Sequence, residues 1–317
     1  QSNMSCDIYA APGNAGISQI AENISAKADD IDTIVEIAKD LEIDLTVVGP
    51  EIPLANGIAD RFNESGLLIF GPSMAAARIE GSKIFSKDLM NRHGIPTAKS
   101  KVFDDHSLAL QHLTQCEMPV VIKADGLAAG KGVTVAESIE ESANAINSQM
   151  VLKEFGSAGN RVLIEEHLDG TEVSVFAFVD GSYVSPMVAA CDYKRLSEGD
   201  VGPNTGGMGS YSPPPKNVWN DSLDQQVRVQ IMEPIAKAME VEGFPYQGVL
   251  YAGLMITPDG PKVIEFNCRL GDPEAQVILP RLKTDLLQIM MSVARGTLAE
   301  VSVEWDPVSC VGVVIAS

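Results

Sequence analysis

The sequence predicts an α/β protein with more than one domain. Its 317 residues suggest two or more domains, and 45% of them are hydrophobic, which permits a large core. Apolar stretches at residues 45–48 and 67–70 alternate with helical patterns, and each ends in a Gly-Pro turn. Short apolar strands separated by helices are typical of a parallel sheet, where ligands bind at the carboxyl ends of the strands.

Hydrophobic periodicity predicts the elements in order. A strand at residues 7–10 and a loop precede a helix with the apolar stripe Ile31, Ile34, Val35, Ala38 and Leu41. Further on, we expect helices at 82–93, 138–151, 221–242 and 284–295, strands at 119–123, 133–136, 161–165, 248–257 and 262–267, and a hairpin at 172–179 and 183–190. The Gly- and Pro-rich residues 199–215 are predicted to form a functional loop, because loops of that length are otherwise uncommon.

The composition excludes several classes of function. The formal net charge is -20, since 43 Asp and Glu outweigh 23 Lys and Arg, and such a surface repels nucleic acids and anionic membranes. No apolar run approaches the ~20 residues that span a bilayer, and no targeting peptide is visible. Five widely spaced cysteines without a C-x-x-C pair indicate a reducing compartment. We therefore expect a cytoplasmic protein that binds neither nucleic acid nor membrane.

The run VVIKADGLAAGKGVTV, residues 120–135, places a lysine at a strand end and glycines in the loop that follows. Backbone N–H groups beside Gly126, Gly130 and Gly132 can approach phosphate oxygens closely, and Lys123 can reach the inner phosphates. The run is not a Walker A loop, because Gly132 replaces the expected Ser or Thr and a strand follows it. A phosphate-binding flap and an ordinary glycine-rich hairpin fit this run equally well.

The run VLIEEHLDGTEVSV, residues 162–175, joins two predicted strands by a short connector. Its first strand ends in Glu165, Glu166, His167 and Leu168, and Glu172 begins the next one. Backbone groups of a connector can hydrogen-bond an adenine ring, and a nearby carboxylate can accept the ribose hydroxyls. Taken alone, a solvated acidic turn is the simpler interpretation.

The strongest pattern is PKVIEFNCRLGDPE, residues 261–274. Glu265, Asn267 and Arg269 occupy alternate positions of a strand, which sends them to one face. Carboxylate and amide oxygens suit a hard cation such as Mg²⁺ held against nucleotide phosphates. The arginine can hold a transferring phosphoryl group or an acyl phosphate. The alternative, the polar face of an edge strand, is disfavoured by the apolar Val263 and Ile264.

Residues 191–215 form a fourth candidate segment. It combines Asp192, Lys194 and Arg195 with Asn204 and a Gly-Gly-x-Gly turn. Such a segment can bind phosphates and polar substrate groups through backbone and side chains together. The alternative is a mobile linker, and the clustering of basic and amide groups counts against it.

The order of these segments resembles the ATP-grasp superfamily. Longer runs carry a closer resemblance, to the glycinamide ribonucleotide synthetases (phosphoribosylamine–glycine ligases), over essentially the whole chain: APGNAG, VVGPE, EGSK, RHGIPTA, IKADGLAAGKGV, GPNTGGMGSYSP, YAGLM and EFNCRLGDPE. The resemblance implies an α/β fold, α+β overall, in which an ATP-grasp fold follows a Rossmann-like parallel-sheet domain. It also implies truncation at both ends.

The implied activity is ADP-forming ligation in purine biosynthesis. Glycine and 5-phosphoribosylamine would be the substrates, and glycyl phosphate the intermediate on the way to glycinamide ribonucleotide. Magnesium or manganese and cationic side chains would neutralise charge on the transferred phosphoryl group. The implied assembly is a monomer or a weak homo-oligomer.

The resemblance also assigns roles to residues. Lys123 and Arg269 would be catalytic, and Glu265 and Asn267 would bind the metal. Asp192, Gly271 and Asp272 would border the substrate site. The residues that would contact ATP are Lys83, Lys123, Gly126, Gly130, Gly132, Glu165, Glu166, His167, Leu168, Glu172, Arg195 and Asn204.

The implied domains are residues 1–80, an α/β domain lacking the family's first strand; residues 81–300, the ATP-grasp domain with a flap subdomain at about 98–164; and residues 301–317, the start of a C-terminal domain that is mostly absent. The family's GxGGREH segment is missing, and Tyr193 stands where a histidine is expected. Residues 251–256 lack a second metal carboxylate, so a second cation would depend on phosphates and water.

Two alternatives remain open from the sequence. Another ATP-grasp enzyme, such as a biotin carboxylase or a formate-using purine enzyme, shares the general motif order, although GPNTGGMGSYSP and CRLGDPE favour the glycine ligases. A non-catalytic ATP-binding module is the alternative from a different class. It is disfavoured because Lys123, Glu265, Asn267 and Arg269 occur together.

Overall fold

The structure is a computed structural model that describes residues 2, 4, 6–127, 132–199 and 201–315, with only the backbone of Pro203 and Asn204. Its first part contains short parallel strands and helices: β1 Tyr9–Ala10, β2 Glu22–Asn23, α1 Ile31–Asp40, β3 Thr46–Val47, α2 Glu51–Ala55, α3 Ile58–Glu64, β4 Ile69–Phe70 and α4 Met74–Gly81. β1 pairs with β2 and β3 with β4, both in parallel; the sequence predicts parallel pairing of β3 and β4, and it does not predict β2. The Asp30 side chain caps α1 by accepting from the N–H of Thr33.

The next part of the chain contains an antiparallel sheet and the helices around it. The elements in chain order are α5 Lys83–Arg92, β5 Ser100–Phe103, α6 His106–Leu113, β6 Val120–Ala124, β7 Val133–Ala136, α7 Ile139–Ile146 and β8 Val162–Glu166. The strand order is β5-β8-β6-β7. Residues of α6, α7 and this sheet share a core that includes Leu113, Ile122 and Ile146. The glycine-rich run joins β6 to β7, which confirms that it connects two strands.

The remaining strands form the largest sheet, and the remaining helices lie between them in the chain. In order, these elements are β9 Thr171–Asp180, β10 Tyr183–Val184, β11 Val188–Ser197, β12 Val201–Ser212, α8 Asp221–Val227, α9 Glu233–Val241, β13 Gln247–Thr257, β14 Gly260–Asn267, α10 Ala275–Ile278, α11 Leu286–Ala294 and β15 Cys310–Val313. The strand order is β14-β13-β9-β11-β12-β15, and β10 pairs with β9. A π-helical turn at Arg228–Met232 joins α8 to α9, so the predicted long helix is present.

β9 is buried on both faces of this sheet. Val173 and Val175 belong to a core shared with α8, α9 and the first part of the chain. Phe176 and Phe178 point into a second core, which α11 covers. The strand therefore reads as an almost continuous apolar run. Among the helices of the described ranges, none is long and apolar enough to cross a membrane.

The prediction of a loop at residues 199–215 is wrong. Val201–Ser212 forms β12, which pairs with β11 and with β15. The glycines that indicated a loop instead allow close approach within a sheet. Gly207 has a φ of 122°, and a Cβ atom there would lie 2.4 Å from Cδ of Pro273. Glycine is depleted in strands for want of a side chain to contribute, but here that absence lets β12 lie against the turn after β14.

Candidate active site

A cleft of about 150 Å³ lies where the antiparallel sheet, α5 and the end of β14 meet. It brings together eight residues that the sequence singled out: Lys83, Lys123, Gly126, Gly132, Glu165, Glu265, Asn267 and Arg269. Apolar side chains, including Ile79, Met90 and Leu127, also line it. A cleft with apolar walls and a few convergent charged groups is the usual form of a ligand site.

Glu165 lies on the cleft floor between two buried lysines. Its Oε1 is 3.0 Å from Nζ of Lys87, and its Oε2 is 2.9 Å from Nζ of Lys123. Lys123 also donates to the carbonyl of Ile264, over 3.0 Å. Burial opposes ionisation of Glu165, but Lys123 and Lys87 lower its pKa overall. The carboxylate is therefore engaged with protein cations, and Glu165 itself lies on a strand that pairs with β5 and β6.

Lys83 and the base of the glycine-rich loop are held to the start of α5. Nζ of Lys83 donates to the carbonyl of Gly126 over 2.9 Å, and burial lowers the pKa of Lys83. Asp125 accepts from the hydroxyl of Ser82 at 2.9 Å and from the N–H of Ile84 at 3.2 Å, and it pairs with the guanidinium of Arg161. The loop thus leaves the sheet from a fixed point beside a cation.

Glu265 and Asn267 extend from one face of β14 into the cleft, as their alternate spacing predicts. Gly253 lies opposite Glu265 in the neighbouring strand, and a Cβ atom there would be 3.3 Å from Cγ of Glu265. The missing side chain leaves space beside the carboxylate. This donor set of two oxygens and an open flank fits a hard divalent cation completed by phosphates and water. Within the described ranges, no group of three or more His, Cys, Asp or Glu converges as a metal site.

Arg269 follows β14 and joins the cleft to the first part of the chain. Its Nε lies 3.2 Å from Oε2 of Glu51, at the start of α2. Its Nη2 lies 3.5 Å from Oε1 of Glu80, whose other oxygen accepts from the N–H of Cys268 at 2.7 Å. Burial raises the pKa of Glu80 to about 7, although Arg269 opposes this. The two carboxylates hold the guanidinium in place beside the end of β14.

The predicted connector residues lie just outside the cleft. Oε1 of Glu166 accepts from the N–H of Lys99 at 3.0 Å and is 3.8 Å from Nζ of Lys262. His167 and Leu168 are half-buried between β8 and β9. The Glu172 carboxylate pairs with Lys194 of β11.

The remaining predicted residues lie around β11, β12 and the turn after β14. Oδ2 of Asp192 is 3.7 Å from Nζ of Lys194, and burial raises the pKa of Asp192 to about 6. Arg195 is exposed and donates to the carbonyl of Gly202. Oδ1 of Asp272 accepts from Gln276, and a Cβ atom on Gly271 would lie 2.3 Å from a carboxylate oxygen of Glu274. Asn204 pairs with Arg195 through the backbone, and Gly130 lies outside the described residues.

Sequence reasoning missed four charged residues at or beside the site: Lys87, Glu51, Glu80 and Glu274. Lys87 had a signal, since it lies one helical turn after Lys83 on the same face of α5. Glu274 is buried, and its Oε1 accepts from Ser174 at 3.1 Å and from Tyr251 at 2.9 Å. Glu51 and Glu80 lie in the runs VVGPE and EGSK, which carry the family resemblance, but neither run by itself indicates a role in the site.

Comparison with known proteins gives matches along nearly the whole chain. Residues 81–275 match the family described as phosphoribosylglycinamide synthetase, ATP-grasp (A) domain, and residues 1–80 match the N domain of the same family. The phosphoribosylamine–glycine ligase of Yersinia pestis is 49% identical over all of this chain and 74% of that protein. The enzyme of that name from Halalkalibacterium halodurans is 50% identical over 98% of this chain and 72% of that protein.

Solved structures show the same relationship. The phosphoribosylamine–glycine ligase of Thermotoga maritima superposes with a TM-score of 0.81 at 32% identity, over 97% of this chain and 73% of that one. A biotin carboxylase–ATP complex from Campylobacter jejuni superposes with a TM-score of 0.70 at 19% identity, over 87% and 60%. At that identity the second match shows a shared fold and nothing about substrate.

Proposed function

The chain belongs to the phosphoribosylglycinamide synthetase family, and from this we infer that it joins glycine to 5-phosphoribosylamine. The reaction consumes ATP and gives glycinamide ribonucleotide, ADP and phosphate, a step of purine biosynthesis. The observation that best supports this proposal is the cleft itself, where Lys83, Lys123, Glu265, Asn267 and Arg269 meet. A protein that only bound ATP would not need to hold all five together.

The reaction has two displacements. A carboxylate oxygen of glycine attacks the γ-phosphorus of ATP, and ADP leaves to give glycyl phosphate. The amine of phosphoribosylamine then attacks the glycyl carbonyl, and phosphate leaves. Little covalent chemistry falls to the protein, so its residues act by positioning and by stabilising negative charge.

We assign the lysines to the nucleotide phosphates. Lys83 extends from the start of α5 and contacts the base of the glycine-rich loop, while Lys123 extends from the end of β6. Their ammonium groups would counter the charge of the triphosphate from two sides. The apolar residues beside them, among them Met90 and Leu127, would exclude water from the adenine ring.

Glu265 and Asn267 would hold a divalent cation, with magnesium favoured over manganese as the hard ion for phosphate-rich sites. When bound, such a cation neutralises charge on the transferred phosphoryl group. Arg269 would stabilise the acyl phosphate with its guanidinium, which Glu51 and Glu80 already orient.

The finer assignments extend this proposal. Glu166, His167 and Leu168 would contact the adenine and Glu172 the ribose. Arg195 and Asn204 would approach the phosphates when nucleotide is bound, and Asp192, Gly271 and Asp272 would border the substrates. We also propose the domain division at residues 80 and 300, with the flap at about 98–164, a cytoplasmic location, and a monomer or weak homo-oligomer.

Phosphate release tests the proposed function. The protein is given ATP, magnesium, glycine and freshly made phosphoribosylamine together, and then each substrate singly with ATP. We expect release only when both substrates are present, with glycinamide ribonucleotide as product. Release that ignores the amine, or no release at all, would overturn the assignment and indicate another substrate pair or a binding module.

A further inference from the structure

Lys87 lines the cleft, yet its ammonium group is fully used by protein acceptors. Nζ of Lys87 lies 3.0 Å from Oε1 of Glu165, 2.7 Å from Oγ1 of Thr97 and 3.1 Å from the carbonyl oxygen of Ala98. An ammonium group has three N–H donors, and these three acceptors take all of them. Lys87 and Lys123 are similarly buried, at 3% and 4% exposed, so their hydrogen bonds rather than their burial distinguish them. Because its three donors are taken, Lys87 is not placed to bind a nucleotide directly.

Lys123, on the other side of the same carboxylate, differs in one respect. Its Nζ meets Oε2 of Glu165 at 2.9 Å and the carbonyl of Ile264 at 3.0 Å. Counting the contacts of the described residues, one N–H of Lys123 remains for a ligand in the cleft. Glu165 gives one oxygen to each lysine, so the position of Lys123 depends on how Glu165 is held.

The charges of this group also matter for an anionic ligand. Glu165 divides its charge between two lysines in a buried setting, where charges interact strongly. Without Lys87, Glu165 and Lys123 would form a one-to-one pair. The ammonium of Lys123 would then be drawn to the carboxylate and away from a phosphate in the cleft.

We propose that Lys87 is a positioning residue for nucleotide binding, acting through Glu165 to keep Lys123 uncommitted and directed into the cleft. This inference rests on the proposed function, because it takes ATP as the ligand. It assigns a role to a residue that touches no substrate.

A second contact connects Lys87 with β14, the strand that carries Glu265 and Asn267. The hydroxyl of Thr97 accepts from Lys87 and donates to the carbonyl of Val263 over 2.8 Å. The N–H of Val263 in turn donates to the carbonyl of Pro96 over 2.8 Å. Lys87 thus links β8 of the flap sheet to β14, the strand that carries Glu265.

The test measures ATP binding by calorimetry with magnesium and without glycine, in four proteins: wild type, Lys87→Met, Glu165→Gln and the double variant. We expect Lys87→Met to weaken ATP binding about tenfold. We expect the same change in the Glu165→Gln background to have little effect, because the residue through which Lys87 acts has lost its charge. The KM for ATP should rise in Lys87→Met while the KM for glycine stays near the wild-type value.

A matched control is Arg281→Met. Arg281 is another buried cation, held by Ser212 and by the carbonyl of Asp306, and it does not line the cleft. Its loss should lower thermal stability and leave ATP affinity unchanged, which separates general damage from positioning.

The outcomes decide the inference clearly. Wild-type ATP affinity in Lys87→Met, or a tenfold loss that persists in the Glu165→Gln background, would overturn it. If Lys87→Met does not fold, Lys87→Gln, which removes the charge and keeps hydrogen-bond donors, takes its place in the same four-protein comparison. Failure of the wild-type protein to bind ATP would instead overturn the proposed function.

Discussion

Glu80 and Arg269 face each other 3.5 Å apart at the junction between α4 and the strand that enters the cleft. Only 8% of the Glu80 side chain is exposed, so its pKa is raised to about 7 even beside a guanidinium. A carboxyl whose pKa is raised in the folded state is more easily ionised in the unfolded chain. The free energy of unfolding should therefore fall as the pH rises from about 4.5 to about 7.

Glu80→Gln should remove this part of the pH dependence. Between pH 4.5 and pH 7.5, the free energy of unfolding of the variant should rise by up to about 3 kcal/mol relative to that of wild type. One pKa unit corresponds to about 1.4 kcal/mol. Urea unfolding at several pH values measures the difference. Glu51→Gln changes the other carboxylate at the same arginine and removes a minor cause of the raised pKa of Glu80, so as a control it should keep most of the wild-type slope. Parallel curves for wild type and Glu80→Gln would contradict the prediction.

Glu265→Ala should abolish ligation and leave the fold intact. The carboxylate is the charged member of the proposed cation site, and its side chain lies in the cleft rather than in a core. Phosphate release in the presence of both substrates measures activity, and circular dichroism measures folding. Glu300→Ala, which removes an exposed carboxylate elsewhere, should behave as wild type. Near-normal activity in Glu265→Ala would remove the metal assignment.

Asp125→Ala should loosen the glycine-rich loop. The carboxylate joins the loop base to Ser82, Ile84 and Arg161, and the loss of buried charge-assisted hydrogen bonds costs about 1–3 kcal/mol. We expect a lower unfolding midpoint in urea, faster proteolysis within residues 125–133 and weaker ATP binding. Asp104→Ala, in the turn before α6, is the control. Equal proteolysis of this loop in wild type and Asp125→Ala would count against an anchoring role.

Gly207→Ala should destabilise the protein, and Gly206→Ala should not. At Gly207 the backbone has a φ of 122° and a new Cβ atom would lie 2.4 Å from Pro273, whereas at Gly206 nothing lies within 4 Å. Strain of this kind costs of order 1–3 kcal/mol. Thermal unfolding of the two variants measures the difference. Similar melting temperatures would show that β12 and the turn at Pro273 are not in close contact.

Local patterns in the sequence predicted what depends on neighbouring residues. The two-residue period of β14 placed Glu265 and Asn267 on one face, and the Gly-Pro turns marked the parallel strands correctly. The many glycines of residues 199–215 led to the wrong prediction of a loop. Glycine is scarce in most strands, but it is needed where a strand passes close to another segment. In that case the packing partner, Pro273, decides the outcome, and it lies more than 60 positions away.

Partnerships between distant residues could not be predicted in this way. The connector suggested backbone contacts to an adenine ring, and no local pattern indicated that the side chain of Glu165 pairs with Lys87 and Lys123, which lie on α5 and β6. Nothing in the sequence around Glu51 or Glu80 connects them with Arg269. Such contacts follow from the arrangement of elements in space, so they become visible only once the fold is known.

The ion pair between Glu51 and Arg269 joins positions 218 apart in the chain. A ribosome-bound chain cannot complete this cleft until nearly all of the described sequence has been synthesised, and partly folded forms lack one wall of it. ATP at a concentration of 100 times its Kd would favour the finished state by about 2.7 kcal/mol. Bound nucleotide would then protect completely folded molecules from proteolysis, while incompletely folded molecules, which cannot bind it, would remain susceptible.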